Sequence, residues 1–130
     1  MNYYDLAVIA ADPVRAHDYA MNVVQGPWPV GEAAIARNSL TAYSYAVDII
    51  RGPWALGEAA IAQDATTAFW YANFVLKAPW ELGEAAISTN PKTAYSYARE
   101  VIRGPWALGE AAIAQDPLTA HAYATDLIKQ

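Results

Sequence analysis

Four glutamates recur at one point of a repeated sequence pattern and are the first candidates for chemistry: Glu32, Glu58, Glu84 and Glu110. A row of carboxylates has the chemistry to bind cations or a basic peptide. The alternative role is structural, because the helix dipole favours an acid in the first turn of a helix, where it can also accept a hydrogen bond from a Tyr hydroxyl or Trp indole of the next repeat. Neighbouring helical repeats lie about 10 Å apart, whereas a catalytic carboxylate pair needs about 5 Å. The structural role is therefore the preferred prediction.

Two histidines, His17 and His121, occupy one equivalent position, where the repeats between them carry Tyr or Phe. Histidine is a common metal ligand and general base, but neither residue shows the spacing of a metal motif. The chain has no Cys, no Ser-His-Asp order, no phosphate-binding glycine loop and no dinucleotide fingerprint. We therefore predict a half-buried aromatic position that tolerates His, in a non-enzymatic protein with no catalytic residue, metal site or cofactor.

An internal repeat of 26 residues positions all of these side chains. A tripeptide ending in Pro-Trp begins at residues 26, 52, 78 and 104, and the 130 residues divide into five units of that length. The first unit lacks this start and matches the others only in its second half. We predict a single helical-repeat domain over residues 1–130, with a divergent unit 1–25 followed by units 26–51, 52–77, 78–103 and 104–130.

Each repeat is predicted to form two short helices, A and B. In the second repeat, Pro29 suits the first turn of helix A, which then runs to about Arg37. Asn38 is the predicted N-cap of helix B, which continues to Arg51. Gly52 is expected to take the left-handed conformation that ends the helix. The equivalent predicted N-caps are Asp12, Asp64, Asn90 and Asp116.

Stacking of these helix pairs is required, because one short pair cannot bury its own apolar face. Tyr45 and Ala46 recur in all five repeats and predict the buried stripe of helix B. Gly31 recurs within helix A, where Gly costs about 1 kcal/mol against Ala, and this predicts that neighbouring backbones approach closely. Trp28 and its equivalents form either an aromatic ladder for ligands or, preferably, a wedge between hairpins. The predicted fold is an all-α solenoid of five αα-hairpins with ten short helices.

Composition excludes several classes of protein. A hydrophobic content of 55% argues against intrinsic disorder. A net charge of −5 argues against a nucleic-acid binder, which would normally carry a basic stripe. No uncharged stretch reaches the roughly 20 residues that a membrane span needs. A soluble cytoplasmic protein with neither nucleic acid nor membrane as a partner is expected.

The repeated pattern resembles a known class of sequences. The succession Trp-x-x-Gly-Glu-x-x-Ile-Ala, then Asp-Pro-x-x-Ala-Tyr-x-Tyr-Ala, is similar to a short helical repeat found in phage and bacterial proteins of unassigned function. The resemblance covers the chain apart from residues 1–8 and implies a helical array, and the proteins that it resembles have no assigned enzymatic activity. The chain is more distantly similar to tetratricopeptide and Sel1-like repeats, whose units are longer.

The third repeat departs from the others at two positions of helix B. Trp70 stands where other repeats have Asp, Ser or Ala, and Phe74 stands where they have Asn, Asp or Glu. These positions should face solvent and lie one turn apart, with Thr66 extending the line. This predicts an exposed aromatic patch that binds a protein partner, although harmless drift after duplication would leave the same pair. Elsewhere, surface ion pairs are expected for Asp48–Arg51, Glu100–Arg103 and Asp126–Lys129.

The last repeat offers a second hypothesis. Its stacking face carries Tyr123, Leu127 and Ile128, and no capping helix follows it in the sequence. An incompletely covered face would pair with another copy of the chain. The leading prediction is a non-enzymatic scaffold or protein-interaction module with an unknown partner, and the alternative is a structural protein that self-associates through its terminal faces.

Overall fold

The computed structural model describes residues 3–128, with the backbone alone for Tyr3 and Tyr4. These residues form ten α-helices and no strand, and the helices pack in adjacent pairs. The predicted class of helical-repeat solenoid is thereby confirmed. The helices are α1 Tyr3–Ala10, α2 Pro13–Tyr19, α3 Pro29–Ile35, α4 Ser39–Tyr45, α5 Glu58–Ile61, α6 Ala65–Trp70, α7 Glu81–Ile87, α8 Pro91–Tyr97, α9 Ala107–Ile113 and α10 Pro117–Tyr123.

The chain divides into two compact segments, residues 1–61 and 62–130, which we call the N-terminal and C-terminal segments. In the N-terminal segment, α1 packs on α2 and α3, and α2 packs on α3 and α4. In the C-terminal segment, α6 packs on α7 and α8, and α8 packs on α9 and α10. Within the described part of the chain, every helix is too short or too polar to cross a membrane.

The B helices begin as their sequence predicts. Each predicted N-cap accepts a hydrogen bond from the backbone N–H of the residue three positions later, and this confirms all five caps. At Asp64, hydrogen bonds from the Thr67 hydroxyl and the Thr67 N–H hold the pKa of the carboxyl below its usual value. These side chains therefore separate helix A from helix B in every repeat.

The B helices end differently from the prediction. Each continues from its α-helix into a π-helical turn, in which the N–H of Arg51 bonds to the carbonyl of Ala46, five residues earlier. The left-handed residue is Arg51 itself, with φ 63°, so the assignment of that conformation to Gly52 was wrong. Because the π-helical turn is wider than an α-helical one, the left-handed residue that ends the helix lies one position earlier than predicted. The π-helical turns span Ala20–Val24, Ala46–Ile50, Tyr71–Leu76, Ala98–Ile102 and Ala124–Ile128.

Replacing Arg51 with glycine is expected to stabilise the protein by about 1 kcal/mol, because a residue with a Cβ is strained at positive φ and glycine is not. Guanidinium unfolding of the Arg51→Gly variant measures this gain. Gly52→Ala is the matched control and should change the free energy of unfolding little, since a Cβ there meets nothing within 4 Å. A loss of stability in Arg51→Gly would contradict the assigned backbone conformation.

The core is built from the same side chains in successive repeats. Tyr45 and Ala46 are fully buried, as are the equivalent Tyr97 and Ala98, and Ile35 is buried on helix A. Alanine lets the B helices approach closely, while Tyr45 and Tyr97 are among the largest fully buried side chains. The recurring stripe of helix B therefore forms the core, as predicted.

The glycines of helix A make room for an indole ring rather than for a backbone. A Cβ on Gly57 would lie 2.5 Å from Cε3 of Trp54 and 3.1 Å from the Cβ of Ala42 in the preceding B helix. Gly31, Gly83 and Gly109 have equivalent neighbours. The prediction that neighbouring backbones approach closely here was wrong, because the nearest atoms belong to the Trp side chain three residues earlier and to an Ala side chain of the preceding B helix.

Candidate protein-binding site

The recurring glutamates hold the hairpins together. Tyr45 donates its hydroxyl hydrogen to Oε2 of Glu32 over 2.6 Å, and the same hydroxyl oxygen accepts the backbone N–H of Trp28 over 2.9 Å. The fourth and fifth repeats form the same chain of hydrogen bonds through Tyr97 and Tyr123. The preferred structural role is confirmed, but the donor is a tyrosine of the same repeat rather than of the next one.

The recurring tryptophans are structural wedges. Trp54, Trp80 and Trp106 are buried, and the ring of Tyr97 lies 4.8 Å from the ring of Trp106 in the next repeat. Equivalent pairs recur with centroid distances of 4.6–4.8 Å. Tyr45 and Tyr97 therefore bind the backbone of their own repeat and pack on the indole of the next. The buried tryptophans are thus not a surface ladder for a ligand.

The two histidines lie in different surroundings. His17 is largely buried, with Nε2 at 3.4 Å from Oδ2 of Asp48 and Nδ1 at 3.5 Å from Oδ1 of Asp18, while His121 is exposed. The half-buried position is thus observed at His17 but not at His121. Across residues 3–128, no three His, Asp or Glu side chains converge as a metal site would require.

The surface charges pair differently from the prediction. Glu100 pairs with Arg99 at 2.9 Å rather than with Arg103, and Asp48 lies next to His17 rather than Arg51. Asp126 accepts the Tyr95 hydroxyl, and its predicted partner Lys129 lies outside the described residues. The predicted pairs Asp48–Arg51 and Glu100–Arg103 are wrong, because each acid contacts another side chain instead. Among residues 3–128, the side chains of Arg51 and Arg103 have no ion-pair partner.

The aromatic patch consists of Thr66, Trp70 and Phe74 on the B helix of the third repeat. Thr66 and Trp70 belong to α6, and Phe74 lies in the π-helical turn that follows. Phe74 is 59% exposed and Thr66 is exposed, whereas Trp70 is half-buried. Ser96 and Ala122, at the position of Trp70, are half-buried too, so this position faces solvent less than expected. The patch therefore has an exposed phenyl ring beside a partly covered indole.

The three residues proposed for self-association are covered to different degrees. Tyr123 and Leu127 are buried within the chain, and Tyr123 is bound to Glu110 and to the backbone of Trp106. Ile128 is 51% exposed. A contact through this end of the chain would therefore use Ile128 rather than the tyrosine.

Two equivalent clefts form between successive B-helix ends, one in each segment. The N-terminal cleft, of about 590 Å³, is lined by residues that include Gln25, Asp48 and Arg51. The C-terminal cleft, of about 460 Å³, is lined by residues that include Lys77, Glu100 and Arg103. The sequence analysis missed both, although Gln25, Arg51, Lys77 and Arg103 recur at intervals of 26. That recurrence is the signal that would have located them.

Helix A also has an exposed aliphatic residue in four repeats, which was not predicted from the sequence. The four residues are 56–67% exposed and occupy the position before the recurring Gly: Val30, Leu56, Leu82 and Leu108. Their strict spacing of 26 residues is visible in the sequence, but helical periodicity alone does not separate them from core positions.

No protein-family model matches this chain, and neither the curated proteins nor the solved structures contain a significant match to it.

Proposed function

We propose that this protein is a non-enzymatic interaction module whose aromatic patch binds a segment of a partner protein. The single observation that carries the proposal is the 59% exposure of Phe74 at a position where the other repeats have Asn, Asp or Glu. An exposed phenyl ring next to an indole supplies the apolar anchor that protein interfaces concentrate at their centres. Packing of these rings against an apolar side chain of a partner removes apolar surface from water and thereby favours binding.

Buried contacts beneath the surface of the C-terminal segment support this role. The Tyr-Glu and Trp-Tyr contacts bind successive helices through buried groups, so the surface above them is ordered before a partner arrives. A surface that is already ordered loses less conformational entropy on binding. The third repeat departs from the others at the exposed Thr66 and Phe74, while its core residues Ala68, Tyr71 and Ala72 are those of the pattern.

Self-association through the terminal faces is the alternative proposal, and only Ile128 of its three residues offers a large exposed surface. We further propose that the chain belongs to the short helical repeats of phage and bacterial proteins that it resembles, and that it acts in the cytoplasm. Both proposals rest on the sequence features described above.

Selection from a random peptide display library on the immobilised protein tests the proposed function. We expect enriched peptides to bind the protein and to lose binding to a double variant, Trp70→Ser with Phe74→Asp. The two new residues are those of the second repeat, Ser44 and Asp48, so the variant restores the pattern and should fold. Recovery of no peptide, or of peptides that bind both proteins equally, would overturn the proposal. A mass that climbs with concentration in light scattering would favour self-association instead.

A further inference from the structure

The C-terminal cleft borders the B helix that carries the aromatic patch. Its lining includes Asn73, which precedes Phe74, and Lys77, which ends the same helix. The opposite side is supplied by the next B helix, through Glu100, Val101 and Arg103. Its volume of about 460 Å³ is within the range of cavities that hold a small ligand or a few side-chain groups.

Two unpaired cations make this cleft positive. The side chains of Lys77 and Arg103 have neither a hydrogen bond nor an ion pair with any described residue. Glu100 also lines the cleft, but Arg99 neutralises it through contacts of 2.9 and 3.0 Å to Oε1. The chain has a net charge of −5, so a cleft with two free cations and a neutralised acid is a positively charged site on a negatively charged protein.

The N-terminal cleft shows what is particular to this one. At the equivalent positions it carries Gln25 in place of Lys77 and Arg51 in place of Arg103. Its acid, Asp48, lies next to His17. It therefore offers one cation instead of two, and the helix before it has Asp18 and Asn22 at the positions of Trp70 and Phe74.

We propose that the partner segment bound by the aromatic patch is acidic, with an apolar side chain that packs on Phe74 and a carboxylate, one or a few residues away, that enters the cleft between Lys77 and Arg103. This inference rests on the proposed function, because it names the partner class of the same surface. The cations supply complementary charge for a carboxylate, Asn73 supplies an amide donor, and Val101 with Pro79 supplies an apolar wall.

A protein segment suits this surface better than a nucleic acid does. The cleft holds only two free cations, whereas a nucleic acid presents a continuous line of phosphates to a chain of net charge −5. A free inorganic anion would use the cations but would leave Phe74 exposed. An acidic peptide satisfies both the ring and the two cations.

The peptides selected on the wild-type protein test this inference through variants of the two cations. Lys77→Gln with Arg103→Gln is a conservative change, because Gln25 already occupies the same left-handed position in the first repeat. Arg51→Gln makes the corresponding change in the N-terminal cleft and is the matched control. Binding of each fluorescent peptide is measured at low and high salt, with and without inorganic phosphate as a competitor.

We expect selected peptides to be enriched in Asp or Glu next to an apolar residue. Their affinity should fall about fivefold in the double variant and not in Arg51→Gln. It should also weaken with added salt, as expected for exposed charges. Peptides that lose binding with Phe74→Asp but not with Lys77→Gln and Arg103→Gln would overturn this inference and leave the proposed function standing. Displacement of the peptide by phosphate alone, with Phe74 irrelevant, would overturn it as well, and recovery of no peptide would overturn both proposals.

Discussion

Replacing Gly109 with alanine should destabilise the protein by about 2 kcal/mol, even though alanine favours a helix over glycine by about 1 kcal/mol. The added Cβ would lie 2.5 Å from Cε3 of Trp106 and 3.1 Å from the Cβ of Ala94. Neither neighbour has room to move, because Trp106 and Ala94 are both buried. Guanidinium unfolding followed by circular dichroism measures the loss.

Gly104→Ala is the control for this substitution within the same repeat. Nothing lies within 4 Å of a Cβ at Gly104, and Ala78 occupies the equivalent position in the fourth repeat. We expect its effect to stay within about 0.5 kcal/mol. Equal effects of the two substitutions would show that the indole does not lie over the glycine, and the wedge role of the tryptophans would fail with it.

Tyr97→Phe is expected to cost about 2–3 kcal/mol, because it removes the group that joins two parts of a hairpin. The Tyr97 hydroxyl donates to Glu84 over 2.6 Å and accepts the buried N–H of Trp80 over 2.8 Å. Without the hydroxyl, that N–H stays buried with no acceptor. Tyr95→Phe is the matched control, since the Tyr95 hydroxyl bonds to Asp126 at the surface and its loss should cost under about 1 kcal/mol.

Alkaline pH gives a second readout of the same tyrosine. Burial raises the pKa of Tyr97, and its hydrogen bond to Glu84 raises this pKa further. The phenol ionises near pH 10 in the unfolded chain and only at higher pH in the folded one. The stability that it contributes is therefore complete below about pH 10 and is lost above it, at about 1.4 kcal/mol per pH unit.

Unfolding of the wild type and Tyr97→Phe at several pH values above about 10 compares the two slopes. The variant should lose stability less steeply than the wild type, because one tyrosine no longer contributes to the proton release on unfolding. Parallel slopes would contradict the buried position of this hydroxyl.

Much of the local architecture follows from the sequence, because the determinants repeat and act over short distances. An Asp or Asn before a helix caps it wherever the helix lies, and all five predicted caps are present. The tyrosine and alanine of helix B repeat at helical spacing and are buried in successive repeats. The helix caps and the buried residues of helix B could be predicted because each depends on a few neighbouring residues that recur in every repeat.

The ends of the B helices were predicted less well, because either of two adjacent residues can take the left-handed conformation that ends the helix. Gly52 follows Arg51, and glycine is the usual residue at a left-handed helix end. The π-helical turn uses Arg51 instead, a choice governed by the hydrogen bond to Ala46 and not by side-chain type. The ion pairs predicted for Arg51 and Arg103 were also wrong, and the clefts that these residues line were not predicted.

The position of the aromatic patch could be predicted by comparing the repeats, but the degree to which each of its side chains is buried could not. The polar residues of the other repeats correctly indicate exposure for Phe74. At the position of Trp70, three other repeats have the small side chains Ser44, Ser96 and Ala122, whose half-buried state has no sequence signature. Partial cover of an indole depends on the neighbouring helix and not on the residue itself.

The central claim is that the aromatic patch is the contact point for a partner protein, and one titration tests it most directly. A peptide selected on the wild type is titrated into the wild type and into the Trp70→Ser, Phe74→Asp double variant, with unfolding of both proteins measured in parallel. We predict that Kd rises at least about tenfold in the variant, because a central aromatic anchor is lost. The unfolding midpoint should stay close to that of the wild type. Equal affinity of two folded proteins would contradict the claim.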